Sequence, residues 1–395
     1  MPYIRPDGFA GGLMAAEGFS DCRTILHGPG GCRYRYMRLS RELYPRNDGP
    51  DLLEKDFFYG NPRIPCTFLD EKDYVYGGYR KLEEALRVVA GTGCPLIVIV
   101  NSPATALIGD NTEEAIVRTG LEGRAMTLDF NPVSESASEG ADRVSTEIVR
   151  FIVPKRRTPS KGRVNILGVP LFCRDWTGTV SEVRRLLSMM GLDARVAIGA
   201  GSSVEDVRGS GDADLNVSVF PEYSGRLSRY YNDELGIGCV RTADAPIGFE
   251  GTRRWLEAVA DAVSCDPSKA IAAVDDAEFM AKKVLRSDGR RASRLTGSHF
   301  TAMGEGSLVR PLESWLREFL SMIPEPASED LPDHIDYLLG PGDFTGVAEL
   351  SGRCDASVDI GFPPRRRFSF RNDTVVGVQG AMNLLDEICN RLRGD

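Results

Sequence analysis

The chain has 395 residues, a net charge of −9, 42% hydrophobic and 27% charged side chains, an ordinary globular composition but too long for one hydrophobic core. The acidic balance excludes a nucleic-acid role built on a global positive field, and no apolar run approaches the roughly 20 residues that span a bilayer. The opening Met1-Pro-Tyr-Ile-Arg-Pro-Asp7 carries no apolar signal segment and the nine cysteines are scattered and odd in number, which predicts a cytoplasmic protein with reduced thiols.

Short apolar runs then alternate with helical periodicity almost throughout, the pattern of parallel α/β units. Residues 23–26 read as a strand that ends in the turn His27-Gly-Pro-Gly-Gly-Cys32. A cysteine at such a turn, or at the start of the following helix, meets the helix dipole, which favours the thiolate form that binds metals. The missing side chains at Gly28, Gly30 and Gly31 let backbone N–H groups approach a bulky anionic ligand, of which an iron–sulfur cluster is one kind. A tight bend carrying an inert cysteine satisfies the same residues.

Residues 81–89 read as a helix, 96–100 as a strand, and 112–118 and 141–151 as helices. The basic, proline-flanked stretch 154–162 reads as a linker. Beyond it come strands at 164–169, 194–198 and 215–220, with helices at 179–190, 203–208, 226–235 and 252–263. Ser202-x-x-Glu205 has capping-box spacing, and Gly199-x-Gly201 is too short a match for a dinucleotide fingerprint. The last third carries helices at 270–285 and 308–322 around a turn-rich stretch, 295–306, then strands at 337–340 and 358–361 and a closing helix at 381–392. The expected fold is α/β: three Rossmann-like domains, 1–160, 161–266 and 267–395, with parallel sheets around a central cleft.

Several chemistries have no sequence support. There is no Walker-A loop, nucleophile elbow, CxxC or HExxH pattern, and histidine occurs only at positions 27, 299 and 334, too few for a histidine-rich metal centre. The acid pairs Glu83-Glu84 and Asp275-Asp276 lie on amphipathic helices and read as solvated faces.

Three segments combine into a more specific pattern: His27-Gly-Pro-Gly-Gly-Cys32, Leu69-Asp-Glu-Lys-Asp-Tyr-Val-Tyr-Gly-Gly78 and Ala106-Leu-Ile-Gly-Asp-Asn111. In order and spacing they resemble the nitrogenase component 1 family. Asn165-Ile-Leu-Gly-Val-Pro170 with Gly178-Thr-Val-Ser-Glu-Val-Arg-Arg-Leu-Leu187, and Ile360-Gly-Phe-Pro363 with Gly377-Val-Gln-Gly-Ala-Met-Asn-Leu-Leu385, extend the likeness over nearly the whole chain. The layout is most similar to the nickel-sirohydrochlorin a,c-diamide reductive cyclase and dark-operative protochlorophyllide reductase type.

The resemblance implies an oxidoreductase that takes electrons from an ATP-hydrolysing iron protein through an iron–sulfur cluster, of the [4Fe–4S] kind, at a homodimer or heterodimer interface. It implies Cys32 as a cluster ligand. The family's two other usual cysteine positions fall on Pro6 and Pro103, which cannot ligate iron; Cys66, just before the second motif, is the best substitute, ahead of Cys22 and Cys94. Gly30 and Gly31 join Cys32 and Cys66 as cluster-binding positions. Two thiolates per chain would complete four across a two-fold axis.

The positions at which nitrogenase itself holds its iron–molybdenum cofactor offer no cysteine near Phe220-Pro221 and no histidine after Gly361, so that cofactor is not expected. The resemblance leaves the cleft for a small molecule, a tetrapyrrole bearing carboxylates in the similar enzymes. Arg33, Arg35 and Arg38 and the run Arg365-Arg-Arg367 suit carboxylates, or solvated ion pairs, and Cys173 lies in a loop that would face the cleft. The alternatives to a catalytic component are a metallocluster assembly scaffold and a non-catalytic partner subunit.

Overall fold

The computed structural model describes residues 6–32, 64–103, 105, 108–128, 135–153, 155–327, 334–365 and 369–391. The expected α/β architecture with three parallel sheets is what the chain adopts. The first sheet has order β1-β2-β3, from Cys22–His27, Leu96–Asn101 and Ala125–Leu128. The second has order β5-β4-β6-β7, from β4 Arg163–Leu167, β5 Asp193–Ala197, β6 Leu215–Ser218 and β7 Cys239–Val240. The third has order β11-β10-β8-β9, from β8 His299–Ala302, β9 Ile323–Pro324, β10 Ile335–Gly340 and β11 Cys354–Asp359. β2, the central strand of the first sheet, is apolar on both faces, as a helix-covered parallel sheet favours: Leu96–Val100 is buried throughout.

The chain divides into two compact units. The first comprises Arg5–Arg157 with Ile198–Gly211, the second Thr158–Ala197 with Asp212–Asp395. The second and third sheets therefore belong to one unit.

In the first unit the helix Gly8–Glu17 packs on the helix Ala137–Ile152. Backbones meet there because side chains are missing: a Cβ at Gly11 would lie 1.9 Å from the carbonyl oxygen of Ala137, and one at Gly140 would lie 1.9 Å from that of Gly8. Gly8–Glu17 is buried on every side, so it has no polar face and no helical periodicity for the sequence to display.

Other differences from the sequence reading have similar causes. The helix Ala137–Ile152 begins four residues before the expected 141, at a capping box of Ser136 and Glu139. The box expected at Ser202 and Glu205 forms one residue on, with Ser203 and Asp206. Short β3 and β8 and the glycine-interrupted helix Gly342–Leu350 look like connections in the sequence, because four residues or two glycines leave too little pattern. β11 ends at Asp359, ahead of the expected 361.

Candidate functional site

Open parallel sheets place ligands beyond the carboxyl ends of their strands. In the first unit β1 ends at His27, and residues 65–67 run parallel beside it: Leu26 N–H donates to Pro65 O at 2.8 Å and Thr67 N–H to Leu26 O at 3.1 Å. Leu69 N–H continues to Gly28 O at 3.0 Å. Cys66 is thereby fixed against the glycine turn, its Sγ donating to Gly28 O at 3.2 Å and accepting Phe68 N–H at 3.4 Å. Residues 30–32 are helical, so Cys32 stands in a first helical turn, half-buried.

A hydrogen-bond network joins this turn to the other two motifs. His27, wholly buried, meets Asp110 Oδ2 at 3.0 Å through Nε2 and Thr67 Oγ1 at 3.0 Å through Nδ1. Asp110 also accepts Gly78 N–H, at 2.8 and 3.1 Å on its two oxygens. Gly78 caps the helix Tyr79–Ala90, so the Asp110 carboxylate sits at a helix N-terminus, where negative charge is favoured. Burial pushes the His27 imidazole below its ordinary value, with Asp110 opposing. A neutral imidazole facing a carboxylate must donate from Nε2, which leaves Nδ1 to accept the Thr67 hydroxyl proton. Lys81 ties the intervening motif down, through Asp73 at 2.6 Å, Asp70 at 3.0 Å and Phe68 O at 3.0 Å. A cavity of about 550 Å³ opens beside the network, lined by Tyr74, Tyr76, Tyr79, Glu83, Asp110 and Arg118 among others.

The glycines divide their work. A Cβ at Gly28 would lie 2.5 Å from Ser102 Oγ, and one at Gly30 would lie 2.9 Å from the Phe68 ring, so these two make room for the protein's own side chains; at Gly31 nothing among the described residues lies within 4 Å. Gly78 is the tightest glycine of the three first-unit motifs. A Cβ there would meet Leu69 Cδ2 at 2.4 Å, Asp110 Oδ2 at 3.0 Å and His27 Cε1 at 3.2 Å. Gly78→Ala should therefore destabilise the protein by about 1–3 kcal/mol through overpacking, read as a lower urea midpoint; an unchanged midpoint would mean that Leu69 rotates away at no cost.

The donor set fits an iron–sulfur cluster held by part of its ligands. Cys32 stands half-buried at the end of the turn, the buried Cys66 thiol bonds Gly28 O within it, Phe68 N–H points at the Cys66 sulfur, and among the described residues nothing lies within 4 Å of a Cβ at Gly31. Cys22 and Cys94 lie elsewhere: Cys22 opens β1 and pairs with Leu96 at the amino end of the sheet, about 17 Å from His27 at strand rise. Pro6 and Pro103 are as read from the sequence, with no sulfur to offer. Arg33, Arg35 and Arg38 lie outside the described residues, as do Arg366 and Arg367 and the Ala106-Leu107 part of the third motif.

In the second unit Cys173 is buried, pairing through a backbone bridge with Gly361. Burial pushes its thiol well above the ordinary range, so it stays protonated and inward. Its neighbour Arg174, 3% exposed, makes a bidentate pair with Asp373 at 2.6 and 3.2 Å, and reaches Glu387 at 2.7 Å and Asp359 O at 2.6 Å. Arg365 is exposed, and its backbone N–H donates to Asp359 Oδ2 at 2.6 Å, while Gly361 N–H donates to Oδ1 at 2.8 Å.

Burial raises Asp359 to about 7, against those two N–H bonds. A raised carboxyl contributes stability that is complete below its ordinary 3.8 and is lost as pH rises through about 7. Asp359→Asn, which keeps one acceptor, should be less stable than wild type at pH 5, and the gap should narrow by pH 8. Urea unfolding at the two pH values checks this; a gap independent of pH would refute it.

Arg174 and Thr67 stand in no motif that the sequence displays. The only sequence signal for either is adjacency, to Cys173 and to Cys66.

Comparison with known proteins places this geometry. The chain is 32% identical over 198 residues to a light-independent protochlorophyllide reductase subunit of Chloroflexus aurantiacus, covering 50% of this chain and 36% of that protein. The corresponding protein of Chlorobium limicola is 30% identical over 247 residues, 61% of this chain and 42% of that one; that of a Synechococcus species is 29% identical over 317 residues, 75% and 56%. The chain thus spans well under two thirds of the curated relatives it matches. A solved structure described as nitrogenase Cp1 at pH 6.5 superposes with a TM-score of 0.70 at 15% identity, over 99% of this chain and 94% of that one, and shows the same fold. The profile of the nitrogenase component 1 type oxidoreductases matches residues 8–328, and the chain belongs to that family.

Proposed function

We propose that this protein is the catalytic component of a nitrogenase-like two-component reductase, taking electrons from an ATP-hydrolysing iron protein and passing them to a carboxylate-bearing small molecule of the tetrapyrrole class. The observation that carries this reading is the convergence of His27, Cys32, Cys66, Gly78 and Asp110 at the carboxyl end of one parallel sheet, in a chain whose family binds iron–sulfur clusters and works with an iron-protein component.

Cys32 and Cys66 would hold a [4Fe–4S] cluster together with thiolates from a second subunit, identical or related. When bound, such a cluster supplies one-electron storage and transfer. The chain's own residues do the rest. Among the described residues none crowds Gly31, Phe68 N–H bonds the Cys66 sulfur, and Thr67, His27 and Asp110 hold the turn to the other motifs. In the other unit Asp359 fixes the backbone of Arg365 while the guanidinium stays exposed, a geometry suited to pairing with a substrate carboxylate. No iron–molybdenum cofactor is part of this reading, because the chain has no histidine beyond His334.

Anaerobic purification followed by iron and acid-labile sulfide analysis tests it. Wild type should carry cluster iron, and Cys32→Ala should lose most of it, with Cys66→Ala reduced. Cluster content unchanged in Cys32→Ala would sink the ligand assignment, and wild type free of iron and sulfide would sink the reading as a whole. Among the described residues no helix is long and apolar enough to cross a membrane.

A further inference from the structure

A hydroxyl has one proton, and the Thr67 hydroxyl has two places to send it: His27 Nδ1 at 3.0 Å or Gly28 O at 3.4 Å. The shorter contact is the stronger, and in the neutral imidazole that burial favours Nδ1 accepts, because Nε2 donates to Asp110 Oδ2 at 3.0 Å. The Thr67 oxygen is then left to receive Gly28 N–H, which lies 3.0 Å away. Every bond in the series runs one way: Gly28 N–H to Thr67, Thr67 O–H to His27, His27 N–H to Asp110. Aligned hydrogen bonds polarise one another, and the series is buried from Gly28 to His27.

Two positions in this series carry meaning for the turn. Gly28 O accepts the Cys66 thiol at 3.2 Å and Leu69 N–H at 3.0 Å, and Gly28 opens the turn that leads to Cys32. His27 O, at the other side, is held by Ser102 N–H at 2.9 Å. The peptide between residues 27 and 28 is therefore bonded at both its carbonyl and its N–H, and only the N–H bond passes through a side chain that answers to a charge.

We propose that His27 is a positioning residue for the cysteine turn: through the Thr67 hydroxyl it holds Gly28 N–H away from the ligand side and carries the charge of Asp110 into the backbone between Cys66 and Cys32. The inference rests on the reading that these cysteines hold an iron–sulfur cluster. It assigns work to His27, Thr67 and Asp110 that the cysteine assignment alone does not require.

The test uses anaerobically reconstituted protein and compares Thr67→Val, Thr67→Ser and His27→Gln with wild type. The readouts are the electron paramagnetic resonance spectrum of the reduced cluster and its midpoint potential. Serine keeps the hydroxyl, so Thr67→Ser should match wild type in both. Thr67→Val removes it, and His27→Gln, which reaches Asp110 but offers nothing at the Nδ1 position, interrupts the series. Both should shift the spectrum and move the potential in the positive direction, because Gly28 N–H is released and the Asp110 charge is uncoupled.

Circular dichroism confirms the fold of each variant. If His27→Gln does not fold, the two Thr67 variants decide the matter, since valine replaces the hydroxyl by a methyl and serine keeps it. A Thr67→Val protein with the wild-type spectrum and potential overturns the inference, as does a Thr67→Ser protein that departs from wild type as far as Thr67→Val. Wild type that takes up no iron is a different result: it overturns the functional reading, and the positioning role falls with it.

Discussion

Arg174→Met should lower the unfolding free energy by about 3–5 kcal/mol, the range for breaking a buried ion pair by removing one partner. Methionine fills much of the volume, so the loss is electrostatic rather than a cavity. Asp373 and Glu387, with side chains 16% and 10% exposed, would lose the buried guanidinium that offsets their desolvation, leaving Glu387 its 3.3 Å contact with Arg391. Asp359 O would lose its 2.6 Å donor as well. Arg174→Lys should recover only part of the loss, because an ammonium cannot make the bidentate bond to Asp373 and reach Glu387 together. Urea unfolding of the three proteins checks this. A methionine variant within about 1 kcal/mol of wild type would show that the pair breaks even against a hydrophobic replacement.

Asp110→Ala should cost about 3–6 kcal/mol, the loss of a charge-assisted bond to Gly78 N–H and another to His27 Nε2 at roughly 1.5–3 kcal/mol each. Both donors lose their acceptor in the interior, where the His27 side chain is 0% exposed. Asp110→Asn should fall between the two, since its one carbonyl oxygen can serve Gly78 but its amide cannot serve His27 without turning a donor toward it. Urea midpoints order the series. An alanine variant as stable as the asparagine variant would show that the Gly78 bond carries nothing.

The two substitutions probe different aspects of the same chain. Asp110, itself in the 106–111 motif, ties the motifs at 27–32 and 69–78 of the first unit together through His27 and Gly78. Arg174 joins the loop after β4 to the segment before the last helix and to that helix itself, Gly377–Asn390. Each is a polar knot between segments far apart in sequence, and each closes its hydrogen-bond requirements within the protein.

The amino-acid sequence by itself determined the alternation of strand and helix, the parallel sheets that follow from it, and the three glycine-rich motifs whose spacing marks the family. Those features are local: a strand's apolar run and a glycine turn are written within ten residues. It also marked Cys32 and Cys66 as the thiols to examine. Only the tertiary structure decided that His27 bonds Thr67 and Asp110, that Gly28 and Gly30 yield space to Ser102 and Phe68, that Cys173 turns inward, and that Arg174 is fully paired. The helix Gly8–Glu17 was hidden because total burial erases the polar face that periodicity needs. The rest was hidden because a buried polar group must find its partner wherever the fold brings one, and Asp110 lies 83 residues from His27 while Glu387 lies 213 from Arg174. No pattern of neighbouring residues carries that information.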